Sequence, residues 1–367
     1  MTPSRWRDYF VEEDFGRFWA KRAEDPSVRV LVVLGVGFDP RCLVTLRTIA
    51  GSAGLGDRLG YLALRLIARP ALGDTGVVTE RLSKANFDEL AGIVGGRAEA
   101  VYDIETHDSE GHNVAGRKTL DAISNASSVL AAYTDVIVDI SGMPRGVFFP
   151  LLAYLLRLAE KEIFTNLHVA VVEDPVLDDR MSGREYGQAD FLHTFRLQGD
   201  NKLVWLPVLG SSEVARLEKI HNRLKGACIE ICPVLPFPAR SLRRVDDIVM
   251  KHSELLFEGF LVSPENLLLC DERTPFDVYR KVLDVEGYYR QRLGAISGIG
   301  AVTTVVSPLA SKTLSLGVLL AAVERSLPVC HVEAGTYHVD VDDDGRLVGD
   351  TTRGPTDIWL AGEPYAP

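Results

Sequence analysis

Three short stretches break apolar runs with small, polar and cationic residues: "LGVGFDPR" (34–41), "DISGMPRG" (139–146) and "VVSPLASK" (305–312). In the first, Gly35 and Gly37 permit a tight backbone turn. Asp39 suits a helix N-cap, Pro40 the first helical position and Arg41 the first turn. In the second, Ser141 and Gly142 present backbone N–H groups at the start of an apolar helix, where free amides and the helix dipole favour a phosphate. Arg145 adds a planar fork of donors matched to phosphate oxygens. In the third, Ser307, Ser311 and Lys312 repeat the combination. These residue types point to the holding of a small anion more than to a reaction. The dinucleotide fingerprint GxGxxG is not met, because Pro40 stands where the third glycine belongs, and neither GxSxG nor a P-loop pattern occurs.

The loop "ETHDSEGHN" (105–113) gathers His107, Asp108, Glu110 and His112 after a strand. Imidazole and carboxylate suit Zn or Mn. The spacing is not H-E-x-x-H, however, and the glycine makes this a loop, so a polar ligand-facing or solvent turn is the stronger reading. If the chain is a catalyst, His107 and His112 with Asp108 are its acid–base candidates, because imidazole titrates near neutral pH. "DVDDDG" (340–345) begins like a calcium loop, but its twelfth position is Thr351 instead of a bidentate acid. With "TYHV" and "RLVG" on its flanks it predicts a β-hairpin turning at Asp-Gly. Arg240, Arg243 and Arg244 fall at a helix start, where cations gain nothing from the dipole; they serve a ligand or partner, or face solvent. Cys228 and Cys232 would share one face of a strand, but no CxxC or nearby His pair completes a metal site. The five scattered cysteines read as buried reduced thiols. No metal and no cofactor is expected.

With 367 residues, 46% of them hydrophobic, and mean hydropathy +0.07, the chain can bury one large core or two ordinary ones. No run of 18 apolar residues predicts a membrane span. The N-terminal "MTPSRWRDYFVEEDFGRFWAKRAEDP" has no apolar signal core. The cytoplasm is the expected compartment. A net charge of −11 argues against direct binding of duplex nucleic acid, which draws its affinity from many phosphate contacts, but leaves room for a small anion held by two or three cations.

The elements that must position these loops alternate. Strands are predicted at 28–37, 59–68, 98–108, 135–140 and 166–174, with helices at 40–50, 82–96 (capped by Ser83), 116–134 and 150–162 between them. Pro150 is expected to mark the start of the last helix, which would leave 141–149 as an open loop. After a polar stretch at 174–200 the alternation resumes. It gives a strand at 202–210, a helix opened by Ser211-Ser212, a strand at 227–236 and helices at 241–257 and 274–293. A strand, loop, helix and strand complete the series over 301–335. Continuous apolar strands separated by helices predict α/β architecture with mostly parallel sheets. Residues 135–174 and 301–335 look like variations on one plan, each with a β-branched strand, a Ser-containing loop with one proline and one cation, and an apolar helix. The reading is two Rossmann-like units with internal duplication: an N-terminal helical segment over 1–27, a first unit over 28–200 and a second over 201–367 ending in a C-terminal β-hairpin.

The pattern strand–Ser/Thr-Gly-x-x-Lys/Arg–apolar helix, carried here by Ser141, Gly142 and Arg145, resembles the ligand loop of CARF domains, the Rossmann-like sensors of cyclic oligonucleotides. The second copy, with Ser307, Ser311 and Lys312 in the matching place, resembles SAVED domains, which fuse two CARF-like units in anti-phage signalling. Gly37 to Arg41 lie where that fold also lines its cleft. Met143-Pro144 departs from the usual small pair, and no nuclease, protease or membrane effector is recognisable in the chain. The resemblance implies a sensor of a nucleotide-type small molecule, with Gly35, Gly37, Asp39, Arg41, Ser141, Gly142, Arg145, Ser307, Ser311 and Lys312 lining its sites. Such a sensor would relay to a protein partner or act as a homo-oligomer. The rival expectations are a nucleotide or phosphodiester hydrolase using the same cleft, and a scaffold subunit of a defence complex.

Overall fold

The computed structural model describes residues 4–52, 54–68, 74–93, 98–110, 112–210, 214–294, 301–350 and 353–365. Two compact units emerge, one from Asp8–Tyr186 with Ala334–Pro367, the other from Met1–Arg7 with Gly187–Glu333. We call them the first and second units.

The first unit begins with β1 (Phe10–Glu12) and α1 (Phe15–Arg22), then β2 (Val30–Val36), α2 (Val44–Ser52), β3 (Leu59–Ile67), α3 (Asp74–Ile93) and β4 (Ala98–Glu105). It continues through α4 (Ala115–Asn125), α5 (Ser127–Leu130), β5 (Asp135–Asp139), α6 (Arg145–Glu160), β6 (Asn166–Val171), α7 (Pro175–Asp179) and β7 (Met181–Arg184). The second unit holds β8 (Asp190–Phe191), β9 (Lys202–Leu209), α8 (Val214–Leu224), β10 (Cys228–Ile231), β11 (Val234–Pro236) and α9 (Arg244–Ser253). After them come β12 (Leu268–Cys270), α10 (Pro275–Gly294), β13 (Val302–Leu309), α11 (Lys312–Arg325) and β14 (Cys330–His331). The chain then returns to the first unit with β15 (Thr336–Val339) and β16 (Thr356–Ala361).

Seven strands form the sheet of the first unit, in the order β1-β16-β6-β5-β2-β3-β4. The five from β6 to β4 are parallel, and β16 and β1 extend them antiparallel. Every residue of β2 and of β5 is buried, as a parallel sheet covered on both faces requires; β4, at the edge, alternates in exposure. Numbered along the chain, the parallel strands run 3-2-1-4-5, so the order reverses between β2 and β5.

The second unit repeats this plan. Strand β13 pairs with one side of β9, while β10 and β11 lie end to end along its other side and β12 follows, all parallel. Val329, just before β14, bridges Val306 in parallel and occupies the fifth position. Taking β10 and β11 as one interrupted strand, the order is again 3-2-1-4-5, with its reversal between β9 and β13. Both units are therefore Rossmann-like α/β sheets.

Several boundaries differ from the sequence reading. Residues 8–27 are part of the first unit, where β1 and buried Phe15 and Trp19 join its sheet and core. The expected C-terminal hairpin does not form: β15 pairs with β7 and β16 with β6, so 334–367 complete the first unit and not the second. A local turn survives, with the Gly345 N–H donating to the Asp342 carbonyl at 2.8 Å and Gly345 at φ +73°. Helix α6 begins at Arg145 and carries Pro150 inside it, so 141–149 is not an open loop. Its residues 146–153 are all buried, and packing of that kind outweighs the lost proline N–H. Ser83 lies within α3, its hydroxyl donating to the Thr79 carbonyl, and caps nothing. The Ser211-Ser212 opening and Thr351 fall outside the described residues.

Candidate functional site

In the first unit the loops after β2 and β5 stand side by side at the carboxyl edge, where the chain leaves the sheet in opposite directions. The two loops nearly touch. A Cβ on Gly142 would lie 2.9 Å from the Cys42 Cβ and 3.1 Å from the Gly35 carbonyl oxygen, and one on Gly35 would lie 2.6 Å from the Met143 Cγ. Glycine at 142 is therefore a packing requirement, and Cys42 and Met143 beside the two glycines are buried.

Arg41 does not project as a free cation. Only 6% exposed, its guanidinium donates from Nε and Nη2 to Asp39, at 3.0 and 2.7 Å, and from Nη1 to Asp178 Oδ1 at 2.9 Å. Asp39 also accepts the Arg41 backbone N–H at 3.0 Å, the N-cap contact its position predicted. Burial works against the guanidinium, but the carboxylates of Asp39 and Asp178 outweigh it and raise the Arg41 pKa.

Sequence reasoning missed Asp139, the last residue of β5. It is buried, with Oδ1 accepting the Ser141 N–H at 2.8 Å and Oδ2 lacking a hydrogen-bond partner. Desolvation pushes its carboxyl up to about 6, with Asp39 adding to the rise and Ser141 and Thr45 opposing it. The Ser141 hydroxyl accepts the Val172 N–H at 2.9 Å and ties this loop to the end of β6. Both polar groups of Ser141 thus have structural partners. Arg145, half-buried, is the first residue of α6.

The loops of the second unit have the same construction. A Cβ on Gly210, after β9, would lie 2.9 Å from the Ala310 Cα and 3.2 Å from the Leu309 carbonyl oxygen, after β13. Ser307, expected in the loop, lies inside β13, where it is buried and accepts the Trp205 Nε1–H from the neighbouring β9 at 2.9 Å. Ser311 is the N-cap of α11, its hydroxyl accepting the Leu314 N–H at 3.4 Å, and half-buried Lys312 is the first helical residue. A second missed residue is His252, buried on α9, whose Nε2 lies 3.3 Å from the Gly210 carbonyl. Burial lowers its pKa and keeps the ring neutral, so Nε2–H donates.

The structure does not bring His107, Asp108 and His112 to these loops. They follow β4, and β3 lies between β4 and β2. Asp108 accepts the backbone N–H groups of His112 at 2.8 Å and Glu110 at 3.0 Å, a self-capped turn, and these amides hold its carboxyl below the usual range. His112 is 71% exposed. Among the described residues no group of three or more His, Cys, Asp or Glu could hold a metal ion. Burial raises the thiols of Cys228 and Cys232 to about 11. No described helix is long and apolar enough to cross a membrane.

No family model and no curated protein matches the chain. Among solved structures, it is similar to a putative universal stress protein from Pseudomonas aeruginosa UCBPP-PA14. That likeness has 12% identity and a TM-score of 0.24 and covers 83% of this chain and 93% of the other. At that TM-score it supports nothing about function.

Proposed function

We propose that the chain is a cytoplasmic binding module for a nucleotide-derived anion, with cyclic oligonucleotides of the kind sensed by CARF and SAVED domains as its ligand class, and that it relays occupancy to a partner protein. One observation carries the reading: Arg145 and Lys312 hold equivalent positions. Each is the first residue of the apolar helix that follows the fourth strand of a 3-2-1-4-5 parallel sheet, beside the reversal in strand order. A cation there is unfavourable with respect to the helix dipole, whereas an anion on the helix axis interacts favourably with the dipole and with a cationic first residue. The remaining candidates supply the frame. Asp39 and Ser141 fix the loops of the first unit, Ser307 ties β13 to β9, and Gly35, Gly142 and Gly210 let the loops approach one another. Hydrolysis has less support, because the histidine loop is a solvent-facing turn away from the strand reversal.

The test is a fluorescence-polarisation titration of labelled cyclic oligoadenylates and linear nucleotides against the wild type and the Arg145→Ala/Lys312→Ala variant. The reading requires saturable binding that falls at least about a hundredfold in the variant, as expected for two charge-assisted contacts, with the unfolding midpoint nearly unchanged. Equal binding by both proteins would refute it.

A further inference from the structure

Arg41 is the one buried arginine among the described residues, and its two counter-charges differ. Asp39 is its neighbour in the same turn, with a side chain only 11% exposed, and grips the Nε and Nη2 edge. Asp178 comes from α7, 137 residues along the chain, has a side chain 57% exposed and holds Nη1 alone, through one oxygen at 2.9 Å. A guanidinium at a strand-order reversal is therefore covered on its outer edge by a single carboxylate that already faces water.

We propose that Asp178 is a latch, an internal stand-in for a phosphate group of the ligand, and that a phosphate binds the first unit by displacing it from Arg41 Nη1. This inference rests on the reading of the chain as an anion-binding module and adds how the first unit's site is gated. A carboxylate oxygen and a phosphate oxygen make the same kind of charge-assisted bond to a guanidinium, but phosphate offers three oxygens in a geometry that suits the fork. The exchange leaves Asp39 on Nε and Nη2, so Arg41 stays positioned throughout. It also has a mechanical consequence. Helix α7 is held at its start by the Asp174 carboxylate, which accepts the Val176 and Leu177 N–H groups, and at its end by Asp178. The chain then passes through Arg180, whose carbonyl accepts the Asp340 N–H, into β7 and its partner β15. Release of Asp178 detaches α7 from Arg41, while Asp174 keeps the near end of the helix attached.

The probe is inorganic pyrophosphate, measured by calorimetry against the wild type, Asp178→Ala, Asp178→Asn, and Asp178→Ala combined with Arg41→Gln. Removing the competing carboxylate is expected to tighten pyrophosphate binding about tenfold in both single variants, and adding Arg41→Gln is expected to abolish the gain. Equal pyrophosphate affinity in the wild type and both single variants, or binding by none of them, overturns the latch. So does a gain that survives Arg41→Gln. The parent reading fails separately: if no cyclic or linear nucleotide binds the wild type while the Arg41-dependent pyrophosphate gain is observed, the latch stands and the wider proposal falls.

Discussion

His168 should be the most costly single polar residue to remove from the first unit. Its ring is fully buried on β6, with Nδ1 2.9 Å from Asp357 Oδ1 on β16 and Nε2 3.6 Å from Asp135 Oδ1 on β5. The Trp19 indole donates to Asp357 Oδ2 at 3.0 Å. Asp135 is also held by Arg22 at 2.6 Å, by Asn166 at 3.2 Å and by the Thr134 hydroxyl at 2.6 Å. Burial pulls the His168 pKa down, but the two carboxylates outweigh it and the net shift is upward. His168→Leu would leave Asp357 buried with one neutral donor, while Asp135 keeps Arg22. Breaking a buried pair from one side costs about 3–5 kcal/mol, a large part of the ~5–15 kcal/mol that holds a domain folded. For a unit of roughly 200 residues, that corresponds to a fall of about 10 °C in unfolding midpoint. Urea unfolding of His168→Leu, Asp357→Leu and the double variant measures the coupling. The double variant should recover at least about 2 kcal/mol relative to the sum of the singles. The pH dependence has a definite sign. His168, with its folded value raised, contributes fully below its unfolded value of about 6.5, and the contribution drains away as pH rises through the folded value. Asp135 is pushed up by burial but pulled further down by His168, Arg22 and Thr134; its contribution is present above about 3.9 and lost as pH falls through the folded value. A loss under 1 kcal/mol in His168→Leu, or additive singles, would refute the reasoning.

Two further substitutions test the loops. Ser141→Ala leaves the buried Val172 N–H without its acceptor and should cost about 1–3 kcal/mol in chemical denaturation, whereas Ser141→Thr should retain most of that stability by keeping the hydroxyl. Gly142→Ala drives a methyl group against Cys42 and the Gly35 carbonyl and should cost about 1–3 kcal/mol; Gly142→Ala with Cys42→Gly should regain part of it by removing the nearest clashing atom.

Much of the fold was legible because its signal is local. Runs such as "VRVLVVLGVG" and "DVIVDI" are apolar at every position, a property of strands buried on both faces, and they become β2 and β5 at the centre of the sheet. The similarity between 135–174 and 301–335 corresponds to two sheets with one strand order. What was not legible depends on pairings across long stretches of chain. Nothing near residues 356–361 shows that they add antiparallel to β6, and nothing near Arg41 points to a carboxylate 137 residues away. The proline rule misplaced the start of α6 because the burial of that helix outweighs its propensity. At the candidate site, residue types located the loops at the sheet's carboxyl edge but not the use of each side chain. Asp39, Ser141 and Ser307 satisfy groups within the protein, and nothing local in the sequence shows that Asp139 is buried with one oxygen on the Ser141 N–H and the other unpaired.

The central claim is that the chain holds a nucleotide-derived anion, and calorimetric titration of the intact wild-type protein with a panel of cyclic and linear oligonucleotides tests it most directly. The account predicts one saturating isotherm, for a ligand bearing at least two phosphates, with competition by pyrophosphate. A flat trace for every member of the panel, at protein concentrations that would detect micromolar affinity, would contradict it.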